Sequence, residues 1–497
     1  MDFVQNFPAI SILACMFAAI LSSGLPRKAA RILCYCVVVG VGILSVCSFV
    51  YSLSVAAPTV YVMGMFPAPW GNEIRFGVLE TGMAMFFSLI MILSLLGGRH
   101  KMKDEVSDKK EFLYYVLVNL LFSSLLALVY TNDLFTAYVF VEINTISAAG
   151  LIVIRENGRT IEAGVRYMIM SLLGSGLLLL GIMVLYDSTG HLLMSNIKDT
   201  VAMQIAAGDY LVPIYVSVAL MCSGLAVKSA LFPFHSWLPD AYGYSTVSSA
   251  AILSSLVSKG YIFLLIKIIY RVIGFNVYKD SHIMNILFVF ALCAMIFGSV
   301  SAIRESDIRR MIAFSSVAQI GYIYMGIGMG TKAGMVAAIF HILTHASTKS
   351  LLFISAIGLT DVSGYSRSFI DITGSGYRNK AAGLGFTVGS LSMVGVPLFS
   401  GFISKYLFAS GAVQLTGKMM PALICLAIST ILNAIYFMKT VIRIYTPANE
   451  DKYQAVKVWA MPVFALTMIG FIAINIILGI NSHPIVEFIE NGLEMFS

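Results

Sequence analysis

Of 497 residues, 59% are hydrophobic and 11% charged, and the mean hydropathy is +0.88. Soluble chains average about 25% charged residues, so a soluble globule is excluded. The net charge of +7 would suggest nucleic acid in a soluble protein, but here the cations sit between membrane segments, and no nucleic-acid partner is expected.

Apolar runs long enough to cross a bilayer, about 20 residues each, recur along the chain. The reading gives an all-α polytopic fold of about fourteen spans in one domain, residues 1–497. The first begins near Ala9, after MDFVQNF, which contains Asp2 and no Lys or Arg; it is expected to be a retained helix, not a signal peptide. Spans two to six begin near Ile32, Phe76, Phe112, Leu134 and Val165, the fifth carrying Glu142. The gap from Asp187 to Asp209 has room for one short surface helix. The seventh span, from Leu211, reaches Lys228, breaks at Pro233 and is followed by His235 and Asp240. The eighth, from Val247, holds Lys259 and Lys267. Spans nine to eleven begin near Met284, Met311 and Ala333, the last carrying His341, His345 and Lys349. The twelfth, from Ala382, is interrupted by Gly395, Pro397 and Gly401 before Lys405. The last two begin near Pro421, with Lys439 inside, and Ala460.

Twenty of the 32 basic residues cluster in alternate connections, around Arg27, Arg99–Lys110, Arg155–Arg166, Arg304–Arg310, Arg367–Lys380 and Arg443–Lys457. The intervening connections hold Arg75, Lys198, Arg271, Lys279, Lys332 and Lys418. Basic loops stay in the cytoplasm, so both termini are expected on the outer side of a prokaryotic cell membrane. The tail PIVEFIENGLEMFS, with three Glu and no Lys or Arg, agrees.

The seven cysteines form no C-x-x-C pair and read as small buried hydrophobes. Neither G-x-G-x-x-G after a strand nor G-x-x-x-x-G-K-[ST] occurs. No cofactor is expected, and the chain is not expected to be catalytic alone.

Six basic side chains remain inside spans: Lys228, Lys259, Lys267, Lys349, Lys405 and Lys439. A charge at the bilayer centre costs about 2.5–3.5 kcal/mol on insertion scales, so such residues face protein or a wet path. Lys267 and Lys439, near span ends, are expected to snorkel to the headgroups. The other four lie too deep for that. Glu142 supplies a counter-charge, though spacing does not say to which lysine. A buried lysine beside a carboxylate keeps its proton and releases it when the carboxylate withdraws. His341, His345 and Lys349 are four apart and share one helix face, a plausible proton wire. The H-x-x-x-H pair lacks the Glu of H-E-x-x-H and a third ligand, so no metal is expected. The two interrupted spans, at Pro233 and Pro397, suggest repeats of about 112–270 and 283–445 around an ion site.

The run V-K-x-A-x-x-P-x-H-x-W-L-P-D-A from Val227 resembles the signature of the proton-conducting membrane transporter family. That family includes antiporter-like subunits of respiratory complex I, of Mrp-type cation/proton antiporters and of membrane-bound hydrogenases. The similarity extends over VFVE with Glu142, Glu162–Ile182, SKGY with Lys259, Asp307–Tyr322, the histidine helix and GVPLFSGFISKY. It implies fourteen helices with two inverted five-helix repeats and a polar axis at mid-membrane. In that picture Glu142 pairs with Lys228, Lys259 and the histidine helix relay protons, and Lys405 is the exit carrier. It also implies other membrane subunits as partners. Lysine at 405, and a chain that stops soon after its last span, point to the Mrp D-type subunit and its hydrogenase counterparts. Tyr242 stands where the family has histidine, and Thr246 and Ser248 where it has prolines. The start of the eighth helix is therefore expected to be looser, with His235 substituting for the missing histidine.

These residues bear on three functions. The first is translocation of protons, or of sodium against protons, through Glu142, Lys228, Lys259, His341, His345, Lys349 and Lys405. An integral-membrane enzyme would have only His235 and Asp240 to work with. A structural subunit or solute carrier would need none of the buried ions.

Overall fold

The computed structural model describes residues 3–55, 57–66, 71–447 and 455–496; Asp2 and Lys452 lie outside them. The chain is a bundle of membrane helices, and among the described residues thirteen are long and apolar enough to cross a bilayer. They are α1 (Phe7–Gly24), α2 (Arg27–Val55), α3 (Val78–Gly98), α4 (Glu111–Tyr130), α5 (Leu134–Val153) and α6 (Gly158–Thr189). After the short surface helix α7 (Met194–Ala207) come α8 (Leu211–Lys228), the small α9 (Leu238–Tyr244) and α10 (Val247–Ile273). Next are α11 (Ile283–Arg304), α12 (Ile308–Met329) and α13 (Lys332–Asp361). The expected twelfth span is divided into α14 (Lys380–Val394) and α15 (Ser400–Val413). Then follow α16 (Met419–Ile444), α17 (Pro462–Ile480) and the amphipathic α18 (Ser482–Glu494).

Several starts are fixed by side-chain caps. Asp133 accepts from the Thr136 amide at 2.6 Å, Asp307 from Arg309 at 2.8 Å, and Thr331 from Gly334 at 3.1 Å. Glycines then let neighbours approach. A β-carbon on Gly224 would come within 2.6 Å of the Gly174 carbonyl, so α6 and α8 touch backbone to backbone. The outward face of α6 is apolar, with Ile169, Leu172, Leu173 and Leu180 exposed. α10 is wholly enclosed, as is α13 from Gly334 to Thr360.

Four features differ from the sequence reading. Residues Thr59–Val62 and Glu73–Phe76 form a two-stranded antiparallel ladder, so the third span starts at Val78. Its alternation is hidden in sequence because the strands are only four residues long. α10 runs on to Ile273, so Arg271, assigned to a connection, is a buried helical residue. There it meets Glu80 of α3 at 3.3 Å, both side chains 2% exposed, and the Asn132 side chain. Lys267 does not snorkel: it is buried and donates to the carbonyls of Leu128, Val129 and Thr131 at 3.1, 2.8 and 2.7 Å. These are the orphan acceptors at the end of α4, a better destination than the headgroups. Lys439 is exposed, as a snorkelling lysine would be.

The start of α10 is tied, not loose. Thr246 caps it by accepting from the Ser249 amide at 3.2 Å, and Glu105 accepts from the Val247 amide at 2.8 Å. Tyr242 is buried and donates to the Leu253 carbonyl at 3.2 Å. Capping hydrogen bonds thus provide the order that prolines would otherwise impose.

Candidate functional site

Glu142 rises from α5 toward the end of α8, where Lys228 is the last helical residue. The ammonium lies 3.5 Å from the carboxylate, with the lysine side chain fully enclosed and the glutamate 26% exposed. Two hydroxyls complete the site. Lys228 donates to Thr145 at 2.7 Å, and Ser175 of α6 donates to Glu142. Thr145 is one turn from Glu142 on the same face. It also lies 3.4 Å from the Tyr261 hydroxyl, which donates to Asn144 at 2.9 Å; Asn144 in turn donates to Ser124 at 2.8 Å. The polar group therefore passes from α5 and α8 to α10 and α4.

Lys259 sits on α10 directly after a π-helical segment, Leu253–Val257. Such turns widen the helix and expose carbonyls. Lys259 donates to the Ser254 carbonyl and, at 3.2 Å, to the Ser258 hydroxyl.

On α13, His341 and His345 stack with their rings 8° from parallel and 5.9 Å apart. The Nδ1 of His341 is 2.6 Å from the Ser404 hydroxyl, and its ring stacks on Tyr322 of α12 at 5.6 Å. Both ring nitrogens of His345, the Nε2 of His341 and the Thr344 hydroxyl are buried with no hydrogen-bond partner among the described residues. Buried polar atoms are normally bonded, and water satisfies those the protein does not. Lys349, next on that face, turns to α12, donating to the Ile312 carbonyl at 3.1 Å and to Ser315.

Lys405 lies beyond the interruption. Gly395, at φ +91°, ends α14, and the lysine stem passes over it to donate to the Val394 carbonyl at 2.7 Å. The acceptor is the negative end of a helix. The ammonium is 5.8 Å from the Tyr322 ring, so Lys405 and His341 lie against the same tyrosine.

The secondary candidates lie elsewhere. Asp240 is bound by Arg166 at 2.9 Å and by Arg310, locking α9 to α6 and α12. His235 stacks on Phe232, 5.4 Å between centroids, and shares no hydrogen bond or ion pair with Asp240 among the described residues. Neither joins the lysine–histidine group. The sequence reading missed Thr145, Ser175, Tyr261, Tyr322 and Ser404. Only Thr145 and Ser404 carry a local signal, by helical spacing from Glu142 and adjacency to Lys405.

Comparison with known proteins agrees over this same region. Residues 131–433 match the family described as NADH:quinone oxidoreductase/Mrp antiporter, transmembrane. NADH-quinone oxidoreductase subunit N of Desulforudis audaxviator is 31% identical over 388 residues, 78% of this chain and 75% of that one. A protein named as antiporter subunit mnhD2 of Staphylococcus haemolyticus is 28% identical over 91% of this chain and 88% of its own length. A chain of an archaeal membrane-bound sulfane sulfur reductase superposes with a TM-score of 0.88 at 24% identity, covering 100% of this chain and 98% of that one. That likeness is one of fold. The chain belongs to the NADH:quinone oxidoreductase/Mrp antiporter transmembrane family, as an antiporter-like integral membrane subunit.

Proposed function

We propose that this subunit carries protons, or exchanges sodium for protons, along Glu142, Lys228, Lys259, His341, His345, Lys349 and Lys405, within a complex of other membrane subunits. The supporting observation is the unequal company of the four deep lysines. Lys228 has a carboxylate at 3.5 Å. Lys259, Lys349 and Lys405 have carbonyls, hydroxyls and ring faces. Neutral acceptors can hold either an ammonium or an amine, which suits a carrier. The carboxylate makes Lys228 the switch. At an effective dielectric of about 20, opposite charges about 4 Å apart attract by about 4 kcal/mol, roughly a thousandfold in proton affinity. Opening the pair frees the Lys228 proton and changes the field felt by Lys259, and the histidines pass the change toward Lys405.

Two repeats, about 112–270 and 283–445, would bring the interrupted helices to equivalent positions. In support, Asp133 and Asp307 cap the second helix of each set, and each bridges to the connection after the third, at Leu193 and Ser368. With five helices apiece, the sets run in opposite directions through the membrane. The basic connections would face the cytoplasm of a prokaryotic cell, with both termini outside.

The test is ion flux in inside-out vesicles holding the parent complex, with protons followed by dye quenching and sodium by tracer. Lys228→Ala should abolish flux while the complex still assembles. Unchanged flux would make the chain a structural subunit and end the relay reading.

A further inference from the structure

Where α2 begins and α3 ends, six basic residues converge: Arg27, Lys28, Arg31, Arg99, His100 and Lys103. They line a cavity of about 480 Å³ in which Glu111 is the single carboxylate among the described residues. Three of the six are already engaged: Arg27 by Asp108, Arg31 by Glu111 at 3.7 Å and His100 by Asp361 at 3.2 Å. Lys28, Arg99 and Lys103 have no ion partner among the described residues. Like charges would not be gathered around an opening for stability alone, since they repel across it.

The remaining wall is apolar, formed by Leu96, Met461, Val463 and Phe464. Its membrane side continues onto exposed Ile32 of α2 and Val463 of α17. Trp459, 63% exposed, stands just before α17, as tryptophans do at headgroup level. The positive end of α2 adds its partial charge to the same place. Cations for a phosphate, a pocket at headgroup depth and apolar surface leading away from it fit one class of ligand.

We propose that this cavity binds the headgroup phosphate of an anionic phospholipid, with the acyl chains lying along α2 and α17. Basic pockets between membrane helices recognise such lipids in this way. The role is separate from the ion path, because none of the cavity's residues belongs to the lysine–histidine group. A bound lipid would bridge α2, α3 and α17 at one membrane face.

The experiment is native mass spectrometry of the delipidated full-length protein titrated with phosphatidylglycerol, phosphatidylcholine or inorganic phosphate. The wild type should retain phosphatidylglycerol over phosphatidylcholine, and millimolar phosphate should not displace it. The variant Lys28→Gln/Arg99→Gln/Lys103→Gln should bind it about a hundredfold more weakly, as expected for three interfacial cations. Arg99→Gln alone, the fallback should the triple variant fold poorly, should show about a fivefold loss. Removing three exposed cations elsewhere, with Lys109→Gln, Lys279→Gln and Arg304→Gln, should leave binding intact. Equal retention by wild type and both cavity variants would overturn the proposal. So would displacement by inorganic phosphate, which would reveal a free-anion site, or occupation of the cavity by an acidic segment of a partner subunit in the purified complex.

Discussion

Lys228 and Lys267 present the same ammonium from buried helical positions, yet their surroundings differ. Lys267 satisfies three carbonyls at the end of α4 and pairs with no carboxylate among the described residues. Replacing it with Met should lower the unfolding temperature in detergent and leave those acceptors bare. Lys228 is shared between Glu142 and Thr145. Hydrogen bonds to charged groups contribute about 1.5–3 kcal/mol, so Thr145→Val should slow proton flux about tenfold or more without loss of assembly. Dye quenching in vesicles checks this, and wild-type rates in the variant would remove Thr145 from the switch. The Glu80–Arg271 pair gives a contrasting case. Glu80→Gln strands a buried guanidinium and should cost about 3–5 kcal/mol, whereas Glu80→Leu with Arg271→Met should be close to neutral. Thermal unfolding of the three proteins in detergent decides it. Glu142 and Lys228 were legible from sequence because charge inside an apolar run is conspicuous. Their pairing was not legible from spacing, because it joins helices 86 positions apart in the chain. Arg271 was misplaced because a count of apolar residues ends a helix at its first charges, even where those charges point inward.

Among elements, the long apolar helices were readable almost one for one, since a bilayer demands length and hydrophobicity from each span. Breaks were visible as Gly and Pro, but not what they accomplish. The break after Gly395 exposes a helix end to Lys405, whereas the one after Lys228 ends α8 at the ammonium itself. The ladder at Thr59–Phe76 and the π turns of α10 left no periodic signal. Contact between α6 and α8 brings Ser175 and Lys228 together around Glu142. It depends on Gly174 and Gly224, where a β-carbon would meet opposing backbone at 2.9 and 2.6 Å. Gly224→Leu should therefore push the helices apart, costing about 1–3 kcal/mol by overpacking. The expected signature is a lower unfolding temperature together with reduced flux. A variant with unchanged unfolding temperature and unchanged flux would show that the close approach is incidental.

For the whole molecule, the proposed orientation rests on the distribution of Lys and Arg, a property of the chain that no single helix reveals. In the proposed topology the basic connections share one face of the membrane and the sparse ones the other, so a reagent confined to one side should distinguish them. Lys109 and Lys279 are both exposed, in connections of opposite expected sidedness. Cysteines placed at these positions report on that sidedness once Cys36 and Cys47, the exposed native cysteines of α2, are replaced by Ser. In intact cells an impermeant maleimide should label Lys279→Cys and spare Lys109→Cys, and permeabilisation should restore labelling at 109. The reverse pattern would place the basic face outside, against the positive-inside rule. It would leave the Glu142–Lys228 geometry untouched but exchange the ends of the proposed path, so Lys405 would deliver protons to the opposite compartment. If the two proposed repeats are antiparallel, as expected, each segment has a counterpart running the other way, and the loop charges would then decide which face is cytoplasmic.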